Sequence, residues 1–234
     1  MQVDLEKAIR ILSPLTGRLI GSGRTDAGVH AFGQVANFRT EKSISDFEKF
    51  IRSLNGILPR DISVLDAVEV DEDFCARKKA IARRYCYYIL NRPSRCPLRS
   101  RHSFHFSQKL DIKSIRLALS SIEGTHDFAA FQAVDCDMEN SLRTIYSAKL
   151  MESVEGMLFF DIEADGFLRH MVRALVGTFL WVGIGKLDVE GFMEILNLKD
   201  RAKAGPTAPA CGLILMGIRY DQKYDRLSTS NKMC

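Results

Sequence analysis

Between residues 167 and 182, Met171, Val172, Leu175, Val176, Phe179 and Leu180 recur at helical spacing, and the apolar run 174–185 fills most of the positions between them. A helix that is apolar on nearly every side must be buried. The run is too short to span a bilayer, and Arg169, His170 and Arg173 stand in the same stretch, so a core helix is predicted.

Around this helix the pattern changes period repeatedly. Residues 4–12 place Leu5, Ala8, Ile9 and Leu12 on one helical face, and a second amphipathic helix starts near Ser43 or Asp46 and turns Phe47, Phe50, Ile51 and Leu54 inward. Residues 61–68, 84–90, 102–106 and 213–220 read as strands, and 143–152 with 157–164 as a hairpin. Further helices are expected at 111–122, ended by Gly124, and at 188–196. Strands and helices mix without strict alternation, which predicts an α+β fold. At 234 residues the chain can form one large domain or two smaller ones sharing a sheet. The expected division is two α+β halves at 1–95 and 96–220, followed by a loose polar tail at 221–234.

The opening residues already hold Asp4, Glu6, Lys7 and Arg10, so no secretory leader is expected and a cytoplasmic location is. Cysteines at 75, 86, 96, 136, 211 and 234 are scattered, without paired or zinc-finger spacing, and fit reduced thiols. His102 and His105 would face opposite sides of a strand, and no metal is expected. The net charge is only +4. From Arg77 to Lys109, however, there are ten Lys or Arg and no acid, interleaved with Tyr85, Tyr87, Tyr88, Phe104 and Phe106. Cations near stackable rings suit a nucleic acid, while a solvated basic face accounts for the same run.

The sharpest chemical signal is Gly23-Arg24-Thr25-Asp26-Ala27-Gly28-Val29-His30-Ala31, followed by Gly33-Gln34-Val35. It sets one carboxylate on a glycine-rich connection between two short strands, from which the side chain can project into a cleft. Nucleotide loops are excluded by spacing. Asp26 stands where a dinucleotide fingerprint begun at Gly21 needs glycine, and Gly185-Lys186 continues with Leu187. Local chemistry alone leaves Asp26 as either a structural turn aspartate or a catalytic one.

As written, this motif resembles the signature of the TruA family of tRNA pseudouridine synthases. Phe74-Cys75-Ala76-Arg77, Ala82-Arg83-Arg84-Tyr85-Cys86-Tyr87, His126-Asp127-Phe128, 167–173 and Ala208-Pro209-Ala210-Cys211-Gly212-Leu213 resemble further family blocks in the family's order. The resemblance implies two ferredoxin-like or RRM-like halves, their antiparallel sheets joined into a larger mixed sheet flanked by helices, with an RNA cleft between them. It begins after the family's first strand, so the first half is expected to lack that strand.

The resemblance implies a cofactor-free isomerase that converts uridine to pseudouridine in the tRNA anticodon arm, positions 38–40, and works as a homodimer without membrane association. Asp26 becomes the catalytic carboxylate, Tyr85 the ring on the uracil and the candidate for the C5 proton, and Arg173 the partner of Asp26. Arg24 helps hold the flipped nucleotide, Arg77, Arg83 and Arg84 bind substrate, and Val29, Phe167 and Leu213 supply apolar walls. His30 and His170 are set aside as bases, because a hydrogen-bonded structural histidine is the commoner case. Two other readings stay open: an RNA-binding protein impaired by the missing strand, and an aspartate-dependent hydrolase.

Overall fold

The computed structural model describes residues 1–133 and 140–229. Chain contacts divide them into two compact units, one of 1–23 and 35–79, the other of 24–34 and 80 onward. This differs from halves meeting at residue 95. The long strand at Ala80–Asn91 pairs along its length with later strands and so belongs to the second unit.

In the first unit, helix α1 (Gln2–Leu12) and helix α2 (Phe47–Ile57) accompany β1 (Leu15–Gly21) and β3 (Ala36–Thr40), which pair antiparallel. Ala8, Ile9, Leu19, Phe50, Leu54 and Leu58 close a small core, as the helical spacing requires. Asp46 caps α2 by accepting from the Lys49 amide at 2.8 Å. The expected strand at 61–68 does not form. Asn55 instead brackets Val64, its side chain accepting from the Val64 amide at 2.7 Å and donating to the Val64 carbonyl at 2.9 Å. A side chain thereby satisfies backbone groups that a ladder would otherwise take.

Among the described residues, the second unit holds a seven-stranded mixed sheet. Its order is β2 (His30–Ala31), β9 (Leu213–Tyr220), β4 (Ala80–Asn91), β8 (Met157–Ala164), β7 (Leu142–Glu152), β6 (Gly124–Asp127), with β5 (Phe104–Phe106) also on β4. Tyr87 and Ile89 on β4 and Phe160 and Ile162 on β8 bury against helix α3 (Ile112–Ser120), helix α4 (Met171–Gly183) and helix α5 (Val189–Leu198). Phe160 stacks on Phe179 at 6.0 Å, and Phe179 on Phe192 at 5.0 Å. The core helix is as buried as its composition demands, but it begins at Met171, so Arg169 lies outside it and is exposed.

Side chains alternate along β4, so Arg84, Cys86 and Tyr88 point to the other face of the sheet. There Arg84 chelates Asp161, Arg219 pairs with Glu163, and Tyr88 meets Phe159 edge-on at 4.9 Å. The C-terminal stretch is not loose over 221–229. Tyr224 is buried, the Ser228 hydroxyl accepts from the Tyr220 amide, and the Thr229 hydroxyl donates to the Gly33 carbonyl. Residues 230–234 of the expected tail, and Cys136 with Cys234, lie outside the described residues. Among those described, no helix is long and apolar enough to cross a membrane.

Candidate active site

Asp26 opens a tight turn. The Val29 amide donates to the Asp26 carbonyl at 3.1 Å, and Gly28 adopts φ +82°, the left-handed value that the third residue of a type II turn needs. A side chain at Gly28 would be strained by that φ and would also touch Ala210. The turn is continued by β2, whose His30 pairs with Ile214 and Ala31 with Leu215, so the sheet fixes the loop's exit.

The Asp26 carboxylate is held from α4 and its N-cap. Arg173 Nη1 donates to Oδ2 at 2.8 Å, and His170 Nε2 lies 3.3 Å from the same oxygen. Arg173 is the more enclosed partner, its side chain 15% exposed against 28% for Asp26. Its other edge is fixed by Nε donating to the Ala208 carbonyl at 2.7 Å, while the Ala208 amide donates back to the Arg173 carbonyl. A guanidinium tied on both edges offers the carboxylate a fixed cationic partner.

The segment carrying Ala208 is pinned throughout. The Gly205 amide donates to the Thr178 hydroxyl, Arg201 bonds Gly205 and Thr207, and the Tyr87 hydroxyl donates to the Pro209 carbonyl at 2.6 Å. Helix α4, this strap and the Asp26 turn therefore form one continuous support.

Tyr85, Val29 and Phe167 each pack against the margin of the main core, where Leu213 is buried. The Tyr85 and Phe167 rings meet edge to face at 5.1 Å. Burial pushes the Tyr85 hydroxyl from its ordinary 10.0 up to about 12, opposed by nearby Arg83 and reinforced by Asp26, so it is a neutral phenol at physiological pH. Burial likewise drives the Cys86 thiol from 9.0 up to about 12 and raises the Tyr87 hydroxyl. In each case folding favours the protonated form, so this stability is complete below the unfolded values and lost as pH climbs through the folded ones. The melting temperature is expected to fall steadily from pH about 9 toward 12, read by circular dichroism. A flat profile would contradict it.

The sequence-predicted residues thus divide. Asp26, Arg173, Tyr85, Val29, Phe167 and Leu213 all lie in the second unit on or beside this core. Arg24, two residues before Asp26, is exposed and holds no polar partner among the described residues. Arg83 donates to the carbonyls of Ala80 and Asp165. Arg84 is not brought to the turn, because alternation along β4 places it on the opposite face, where Asp161 pairs with it. Arg77 is exposed in the first unit.

The basic run is also less cationic than it reads, since Asp73, Asp161 and Glu155 pair with Lys79, Arg84 and Arg99. Passed over in the sequence was His170, whose position beside Arg173 was visible but whose approach to Asp26 was not. Among the described residues, no group of three or more ligating side chains could hold a metal.

The family model described as tRNA pseudouridine synthase matches residues 118–221, which include α4 and the strap. A protein of Thermoanaerobacter sp. (strain X514) called tRNA pseudouridine synthase A is 44% identical over 220 residues, covering 94% of this chain and 89% of its own. Proteins of the same name from Bacillus subtilis (strain 168) and Myxococcus xanthus are each 39% identical, over 94% of this chain and 90% and 83% of theirs. Similarity of that extent, running through the Asp26 turn as well as α4, means that this chain belongs to the TruA family of tRNA pseudouridine synthases.

Proposed function

We propose that the protein isomerises uridine to pseudouridine in the anticodon arm of tRNA, as a cytoplasmic homodimer, with Asp26 as the catalytic carboxylate. The observation that carries this reading is the Asp26 carboxylate fixed by Arg173 beside the apolar margin of Tyr85 and Phe167. The reaction breaks the bond from N1 to C1′, turns the detached uracil, and joins C5 to C1′. A proton leaves C5 and one is gained at N1, with no redox change.

The carboxylate, held in place by its guanidinium partner, acts on the nucleoside. Flat apolar side chains retain the free uracil, and Tyr85 stacks on it. Arg24, exposed two residues before Asp26, helps offset the few kcal/mol, roughly, that flipping a nucleotide costs. Arg77 and Arg83 are read as backbone contacts, and Arg84 as a structural residue of the opposite face.

Mapping pseudouridine at single-nucleotide resolution on unmodified tRNA tests the assignment. New product in the anticodon arm is expected, whereas bound tRNA without product would make the protein a binding module. Sedimentation at micromolar protein decides the dimer.

Two further results are expected. Tyr85→Phe keeps the ring and removes a neutral hydroxyl, so tRNA binding should hold while turnover falls about 100-fold, within the range of lost proton-transfer catalysis. Unchanged turnover would leave stacking as the residue's only role. Affinity for tRNA should drop about 100-fold between ~50 and ~200 mM salt, as neutralising about four phosphates requires. A shallow slope would remove the basic run from the interface.

A further inference from the structure

Among the described residues, both polar side-chain contacts to the Asp26 carboxylate fall on one oxygen. Arg173 and His170 each approach Asp26 Oδ2, and no described residue engages Oδ1. The backbone of His170 is also unusual. It adopts φ +65° and ψ 0°, one of two non-glycine residues with positive φ among the described residues. It does so at the N-cap of α4, a position that normally takes extended backbone and a side chain that caps the helix. His170 makes no capping bond.

The conformation is held from both sides. The Arg169 carbonyl accepts from the Ala133 amide at 3.0 Å, the Met171 amide donates to the Leu168 carbonyl at 3.1 Å, and the His170 carbonyl accepts from the Ala174 amide at 2.9 Å. A left-handed residue kept in place by its surroundings at a functional site is stored strain with a use. Glycine would occupy this backbone without penalty and start the helix equally well.

From these observations we infer that His170 is a positioning residue for Asp26. Its imidazole, aimed by the left-handed backbone, and the Arg173 guanidinium together pin Oδ2, which stops rotation of the carboxylate and presents Oδ1 to the nucleoside. The strain at residue 170 is what places the ring there. This inference rests on the proposed function for its catalytic consequence, but the geometry it asserts does not.

The test is His170→Gly, with His170→Asn as a second variant that tolerates the same backbone yet is too short to reach Oδ2. Relief of strain should leave the His170→Gly melting temperature equal to or above that of the parent protein. KM for unmodified tRNA should stay within about twofold while kcat falls about 10- to 100-fold, as for a misplaced reacting group. Crystal structures of both variants should show the Asp26 carboxylate rotated or split between rotamers. His170→Gly with parental kcat, or an Asp26 carboxylate unmoved in both variants, would overturn the inference. A parent protein that binds tRNA without forming pseudouridine would overturn the functional reading instead, and the crystal structures would still decide the positioning role.

Discussion

Asp26→Asn is expected to leave a folded, tRNA-binding protein whose pseudouridine formation is reduced by at least about 10³-fold, the scale of losing an acid–base or nucleophilic group. The amide keeps the shape of the carboxylate and can still accept from Arg173, so the turn closed by the Val29 amide is undisturbed. Only the negative charge and the reactive lone pairs are lost. Because the Asp26 side chain is 28% exposed, the pair with Arg173 is partly screened by solvent, and stability should change by no more than about 1 kcal/mol. Retention of a tenth of the parental turnover would remove Asp26 from the chemistry.

The second large effect lies away from the reacting groups. A Cβ built on Gly177 would sit 1.7 Å from the Pro206 carbonyl oxygen, and one on Gly205 would meet the Gly177 backbone at 2.7 Å. Helix α4 and the strap thus touch backbone to backbone, and Gly177→Ala must push them apart. Overpacking against rigid backbone costs about 3 kcal/mol. In a unit of this size that lowers the melting temperature by roughly 6–12 °C.

Catalysis should fall further than stability, since the displaced strap carries Ala208, whose carbonyl fixes Arg173. The same substitution at Gly56 in α2, where nothing lies within 4 Å, should instead stabilise by roughly 0.5–1 kcal/mol. Calorimetry of the two variants would show opposite signs. A Gly177→Ala protein as stable as the parent would mean that the strap is not braced by this contact.

The contrast between Gly177 and Gly56 shows where reading a sequence stops. Both are glycines inside helices, and only the neighbour across the helix separates them. Local pattern was enough for the α+β class, for α1 and α2, for the hairpin of β7 and β8, and for burial of α4. Each of these follows from the period of apolar residues, which is a property of the chain alone. It failed at 61–68, where alternation met a bracketing asparagine rather than a partner strand, and at 167–170, where left-handed backbone at His170 delays the helix.

The turn chemistry of Asp26-Ala27-Gly28-Val29 is likewise local, so the sequence by itself determined that one carboxylate would be presented on a rigid turn, and the likeness of its motif assigned the carboxylate a family. The tertiary structure alone decided which groups meet it. Arg173 and His170 come from a helix and its N-cap far along the chain, Ala208 orients the arginine, and Asp161 meets Arg84 on the opposite face. Those choices depend on distances between residues remote in sequence, and such distances exist only once the sheet and its helices have packed.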